Sequence, residues 1–290
     1  MVKISIRDNS FQQDGITFIN NGNDFRLEIS NNVCNTIIIN VDNEGYKSFD
    51  VLINDGANIE IIEVFNSGIF NSDMKFTCEC HGYLKHSRVL LNEASKSTIK
   101  NEVTVKNGEY TLSYVDLLKG SLKVENTINL EGPYTYGSVN CASISGANSV
   151  KKYINNVVNM SYQTKAYMEN YGVSFENGIL HIVGIGDIRK GGRNSATHQK
   201  STMFVLDEGS KSTSEPYLYI DEDDVEASHA SAVGKIDDET LFYLCSRGIS
   251  KEGAKKMVVL GYFQPIFEKI GNSDIKELIN KHVQEVIGHV

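Results

Sequence analysis

Apolar and polar residues alternate with a period of two through long parts of the chain. Tyr110, Leu112 and Tyr114 form one such run; Leu122 with Val124, and Ile128 with Leu130, form others. This alternation gives a strand one buried and one exposed face. Residues 1–25 read as a short strand, a polar turn and a second strand. Shorter β-type runs follow at 36–39, 50–53 and 59–62, separated by Asn-Gly, Asp-Gly and Asn-Glu-Gly. Further runs at 157–158, 167–168, 203–206 and 217–220 continue the theme, and Gly108, Gly120 and Gly132 stand twelve residues apart. Many short strands allow a sandwich, a barrel or a β-solenoid. Asparagine at the turns fits the solenoid, because it tolerates left-handed backbone angles. The periodicity leaves all three open.

The period changes after Gly234. Asp237 is placed to cap a helix carrying Leu241, Phe242, Leu244 and Cys245, and Gly248 to stop it. Ser250 starts a second helix. Its apolar stripe is Met257, Val258, Gly261 and residues 263–267, with Pro265 expected to kink or end it. Ser273 is expected to cap a third, in which Ile275, Leu278, Ile279, His282, Val283 and Val286 recur at helical spacing. The expected division is a β body over 1–226 and a helical domain over 227–290. Asparagine marks the same change: none stands between Asn194 and Asn272.

Composition narrows the function classes. A chain of 290 residues with 40% hydrophobic content supports one large core. A net charge of −9 argues against nucleic-acid or anionic-membrane partners, which need a basic surface. No basic-then-apolar leader and no apolar run of about 20 residues is visible. Five cysteines form no disulfide framework, so a reducing cytoplasm is expected.

Four features could carry chemistry. Gly184-Ile185-Gly186 lacks the remaining residues of a phosphate loop, so no nucleotide is expected on this chain. Cys78 and Cys80 would share one strand face, as half a soft-metal site or as two plain core thiols. His229 follows Asp223, Asp224 and Glu226, and histidine with carboxylates suits iron; the plainer reading is a solvated histidine. His198 carries less support. No nucleophile elbow, H-E-x-x-H or C-x-x-C is present.

The stretches DDVEASHASAVGKID, LFYLCSRGIS and GAKKMVVLGYFQPIFEKI resemble the SufB/SufD family, the scaffold subunits of the SUF iron–sulfur assembly machinery. The resemblance is specific over about 160–270. It implies a right-handed parallel β-helix followed by a small helical domain. It implies pairing with a second copy or a SufB-like chain, and docking of SufC, an ABC-type ATPase, on the C-terminal helices. Leu241, Phe242, Arg247, Met257, Gly261 and Phe263 are the residues expected to meet that ATPase. His229 matches the family histidine tied to cluster assembly, with Glu226 beside it. Cys78, Cys80 and His198 are weaker members of the same set. The implied cargo is a transient iron–sulfur cluster or iron, held without catalytic turnover. Ser210 stands where the SufB branch has a cysteine, and Ala230 where it has a glutamate; both departures resemble SufD. A polysaccharide-acting β-solenoid enzyme and a purely structural dimerising solenoid are the alternatives.

Overall fold

The computed structural model describes residues 1–41, 45–66, 69–70, 73–91 and 93–287. In chain order the strands begin with β1 Val2–Ser5, β2 Phe11–Gln13, β3 Ile16–Asn21, β4 Asp24–Ile29, β5 Cys34–Val41, β6 Ser48–Ile53 and β7 Asn58–Phe65. Next come β8 Ile69–Phe70, β9 Asp73–Cys80, β10 Tyr83–Leu90, β11 Glu93–Val105, β12 Glu109–Asp116, β13 Lys119–Leu130 and β14 Tyr136–Ser145. The last six are β15 Val150–Asn159, β16 Lys165–Ser174, β17 Ile179–Ile188, β18 Ala196–Val205, β19 Lys211–Ile220 and β20 Glu226–Gly234. Helices α1 Asp238–Ser246, α2 Lys251–Phe267 and α3 Ser273–Val286 follow.

From β4 onward, the short β8 apart, successive strands fall alternately into two sheets, and each sheet pairs strands of consecutive coils. One sheet has the order β1-β5-β7-β10-β12-β14-β16-β18-β20; the other runs from β19 back through β17, β15, β13, β11, β9, β6 and β4 to β3 and β2. All pairings are parallel except β2–β3 and β3–β4. Asn58 pairs with Tyr83, Tyr83 with Glu109, Glu109 with Tyr136, Tyr136 with Lys165, Lys165 with Ala196 and Ala196 with Glu226. With Cys34 paired to Asn58 and Ile179 to Lys211, a coil from β4 onward takes between 24 and 32 residues, and the twelve-residue glycine spacing is about half of a short one. This is a parallel β-solenoid followed by three helices, the architecture that the resemblance implied. Asn32, Asn148, Asn177 and Asn194 sit at turns with φ of 58–60°, the conformation the sequence suggested for them.

Two apolar cores hold the molecule together. The first lies inside the solenoid and includes Ile37, Leu112, Val139, Met168, Leu180 and Ile182. The second lies outside, where Ile62, Val89, Val115, Ile144 and Val173 of the β1–β20 sheet meet Val259, Phe263, Ile266 and Phe267 of α2 and Ile279 and Val283 of α3. Fully burying each such side chain contributes roughly 1.5–3 kcal/mol. The helices thus share a core with the solenoid wall. Strand β20 runs to Gly234, past the boundary drawn at residue 226.

Local capping explains the helix ends. Asp237 accepts from the Thr240 amide at 2.9 Å and Ser250 from the Gly253 amide at 3.1 Å. Gly248, at φ 88°, closes α1: its amide bonds the Cys245 carbonyl at 3.0 Å and the Ile249 amide bonds that of Leu244 at 3.3 Å. Pro265 does not end α2, which continues through it to Phe267. The third cap is Asn272, not Ser273: its side chain accepts from the Ile275 amide at 3.1 Å. No helix among the described residues is long and apolar enough to cross a membrane.

Polar groups also stand inside the solenoid, and around Arg88 they are fully paired. Arg88 donates to both carboxylate oxygens of Glu63, at 2.7 and 3.3 Å. His86 and Tyr46 complete that carboxylate, at 2.6 and 2.9 Å. Burial alone would raise the Glu63 pKa, but Arg88 and the His86 hydrogen bond outweigh it and bring it down to about 2. Burial lowers the His86 pKa, so the neutral ring donates to Glu63 and accepts from the Tyr110 hydroxyl at 2.9 Å. Arg88 also donates to Asn101 at 2.8 Å. A ladder of side-chain amides continues from there, Asn101 to Asn126 at 2.6 Å, Asn126 to Asn155 at 2.7 Å and Asn155 to Asn170 at 3.0 Å. It ends where Asn170 donates to Ser201 on β18 at 3.2 Å.

Candidate functional site

The two ends of the solenoid are built differently. At the N-terminal end the edge strands are short, four residues in β1 and three in β2. The chain folds back antiparallel there, and Asn20 ties the turn by donating to the Ile6 and Asp8 carbonyls at 3.1 and 2.8 Å. At the other end β19 and β20 are the last strands of both sheets, ten and nine residues long. Among the described residues neither has a neighbour on its outer edge. Tyr217, Tyr219, Ile220 and Val233 are exposed there. Long unpaired edges with apolar residues are templates for another chain.

His229 lies on β20 at this open end. Its register partner is Gln199 on β18, whose partner is Met168 on β16. Met168 belongs to the interior core, and register partners share a face, so His229 stands on the inward-facing side. It is nevertheless exposed, because no further coil covers it. Across the interior lie β17 and β19. The Gln199 amide spans to them, donating to the Tyr217 carbonyl at 2.8 Å.

The other expected site residues are not gathered here. Glu226 is three positions from His229 on the same strand, and alternation puts an odd spacing on opposite faces. Its register column runs through Ala196 to Lys165 on the outside. His198 is also outside: it shares a hydrogen bond with Ser228 at 2.7 Å and packs on Tyr167, ring centres 5.2 Å apart. Asp224 is bound by Arg193 at 2.9 Å and Glu222 by the Gly191 amide at 2.8 Å, so those members of the acidic turn are held by the preceding coil. Cys78 and Cys80 lie buried on β9, five strand steps from β19, or about 24 Å at the usual spacing. Burial pushes both thiols up, Cys80 to about 11. They stay protonated at neutral pH, where a metal needs thiolates. Ser210 donates to Asp207 in the β18–β19 turn at 2.7 Å. Among the described residues no group of three or more His, Cys, Asp or Glu side chains is arranged to hold a metal.

The helical candidates separate into two sets. Phe242, Arg247, Met257 and Gly261 are exposed, Phe242 at 75%. α1 buries none of its residues, and Arg247 covers the neighbouring Tyr243 ring at 5.1 Å. Phe263 is 0% exposed in the second core and Leu241 packs against that core. The expectation that Phe263 faces a partner is therefore corrected: it fastens α2 to the sheet.

The sequence reading missed Gln199 and Thr197, which face inward beside the His229 column. It also missed the edge formed by Tyr219, Ile220 and Val233. On the outer face of the longer sheet, carboxylates stand next to lysines, Lys75 to Glu102 at 3.9 Å and Lys100 to Glu125 at 3.7 Å. That is an ion-pair ladder, and it gives no support to a sugar-cleaving carboxylate pair.

The family profile described as "SUF system FeS cluster assembly, SufBD core domain" matches residues 37–262. The chain is 32% identical over 153 residues to the iron-sulfur cluster assembly protein SufD of Bacillus subtilis (strain 168), covering 53% of this chain and 35% of that protein. It is 24% identical over 262 residues to an iron-sulfur cluster assembly SufBD family protein of Mycobacterium leprae (strain TN), covering 86% of this chain and 30% of the relative. A SufBD family protein of Mycobacterium bovis (strain ATCC BAA-935 / AF2122/97) is 38% identical over 107 residues, 36% of this chain and 27% of its own length. The matched segments thus span about a third of these relatives or less.

Proposed function

This chain belongs to the SufBD core family, and from that premise we propose that it is a scaffold on which an iron–sulfur cluster is assembled at the open end of its solenoid. The observation that carries the reading is the pair of unpaired, nine- and ten-residue edges that bracket an inward-facing His229. A second chain, another copy or a SufB-like protein, pairs with those edges and covers the apolar rim. One imidazole per chain supplies one nitrogen donor for iron. The partner chain and sulfide supply the remaining ligands, so the site is incomplete in a single copy. Iron and the growing cluster are cargo; the chain itself performs no turnover.

The exposed face of α1 and α2, with Phe242, Arg247, Met257 and Gly261, is the surface proposed for an ABC-type ATPase. ATP-driven closure of that partner would pull on helices that share a core with β12, β14 and β16, and so open the paired end to iron and sulfide. All five cysteines are free, which suits the reducing cytoplasm in which we place this work.

The test is anaerobic reconstitution with Fe(II) and sulfide followed by native mass spectrometry. A cluster carried by a two-chain species is expected. A chain that stays cluster-free with every pairing partner supplied contradicts the proposal.

A further inference from the structure

Of the five buried side-chain polar atoms without hydrogen-bond partners among the described residues, two lie on β18 at the open end. They are Gln199 Oε1 and Thr197 Oγ1, on side chains 5% and 0% exposed. Both residues are on β18 with one residue between them, hence on one face, and that face is the one His229 shares. The Gln199 amide is oriented, because its Nε2 donates to the Tyr217 carbonyl at 2.8 Å. Its oxygen is therefore left over as an acceptor.

The facing strand is stripped to make room for these groups. A Cβ at Gly184 would lie 2.5 Å from Gln199 Oε1. A Cβ at Gly186 would lie 2.5 Å from Thr197 Oγ1 and 3.1 Å from Gln199 Nε2. Glycine in a strand interior gives up packing and marks a place of close approach. The Gly184-Ile185-Gly186 stretch, which binds no phosphate on sequence grounds, thus has a physical role. It lets two polar side chains lie across the interior beneath His229.

His229 itself has no hydrogen-bond partner among the described residues. It is the next rung after Gln199, about 4.8 Å away along the sheet. A histidine that ligates a metal donates its other ring N–H to a fixed acceptor, and that bond sets tautomer and ring orientation. Resting on the reading of His229 as an iron ligand, we propose that Gln199 is the positioning residue for His229. Its side-chain carbonyl, unpartnered in the single chain, becomes the acceptor for one imidazole N–H when the His229 ring turns inward, and the opposite nitrogen is left facing the cargo. Only a hydrogen bond is formed; no group is oxidised or transferred.

The experiment uses the full chain, with His229 tautomers read by ¹⁵N NMR and anaerobic Fe(II) titrations in parallel. Gln199→Met is expected to move His229 toward the tautomer mixture of free histidine and to weaken Fe(II) binding about 10- to 100-fold. Gln199→Glu keeps an acceptor but loses the donation to the Tyr217 carbonyl, so it is expected to hold the wild-type tautomer more than Gln199→Met does and less than the wild type. Gly184→Ala, which displaces the oxygen but leaves Gln199 in the sequence, is expected to reproduce the Gln199→Met result. It serves as the test should Gln199→Met fail to fold. A tautomer unchanged in folded Gln199→Met overturns the proposal. If His229→Ala leaves Fe(II) binding unchanged, the iron-ligand reading fails, and the tautomer shift still decides whether Gln199 orients the ring.

Discussion

Around Arg88 every polar side chain of the interior is paired, whereas around Gln199 two buried atoms have no partner and the nearby histidine is exposed. Both layers lie inside the same solenoid and are built on the same alternation. Removing Arg88, Glu63 and His86 from water is costly, and the cost is offset only because each finds strong hydrogen bonds. Such a layer fixes which strands stack on which. The Gln199 layer is unfinished at the end where both sheets run out of strands. Two unpartnered polar atoms and the unpaired edges of β19 and β20 stand within one coil of each other there. The difference separates what holds the chain together from what receives another molecule.

The largest expected effect lies in the paired layer. Arg88→Met leaves the Glu63 carboxylate buried without its cation and should cost about 3–5 kcal/mol, read from the urea midpoint. Iron loading per folded molecule should not change. The same layer makes stability depend on pH. Glu63 titrates at about 2 in the fold and near 4.5 when unfolded. Its contribution is fully present above about 4.5 and disappears as pH falls toward 2, a loss on the order of 3 kcal/mol. His86, with its folded value lowered, acts in the same sense from about 6.5 downward, because unfolding lets it take up a proton. Melts at pH 7, 5 and 3 should fall in that order, and Glu63→Gln should flatten the acid limb. An unchanged limb would place the dependence elsewhere.

An intermediate effect is expected at the rim of the open end. Ile220→Asp should shift the molecule from paired to single chains in sedimentation, with the dissociation constant raised at least about tenfold. Its unfolding free energy should move by no more than about 0.5 kcal/mol. Ile19→Asp, on β3 at the closed end, should leave the mass unchanged. If both variants dissociate alike, the ends are not distinguished as described.

The smallest effect on the fold belongs to α1. Phe242→Ser removes an exposed ring and should leave stability within about 0.5 kcal/mol. Binding of the ABC-type ATPase should be lost in a pull-down. Undiminished capture of the ATPase by the variant would remove α1 from the docking surface.

Much of this was legible in the residues. Alternation at 110–130 gave the strands, the turn asparagines fitted left-handed corners, and Asp237, Ser250 and Gly248 marked helix ends where they occur. The parallel stacking was not legible from period alone, because alternation within a strand does not say which strand lies beside it. Coils that lengthen from 24 to 32 residues show no fixed repeat, so nothing in the chain pointed from His229 back to Gln199. The opposite facing of Glu226 and His229 was available from their odd spacing once both were assigned to one strand. The burial of Phe263 was not: an apolar helix stripe does not reveal whether it meets the chain's own sheet or a partner.

The most direct measurement is anaerobic reconstitution of the wild-type chain and His229→Ala with Fe(II) and sulfide, each with its pairing partner, read by absorption and iron content. The expected result is a cluster on the wild type and its loss in His229→Ala, with the paired mass retained. An equal cluster on both chains would contradict the assignment of the open end and its histidine to cluster assembly.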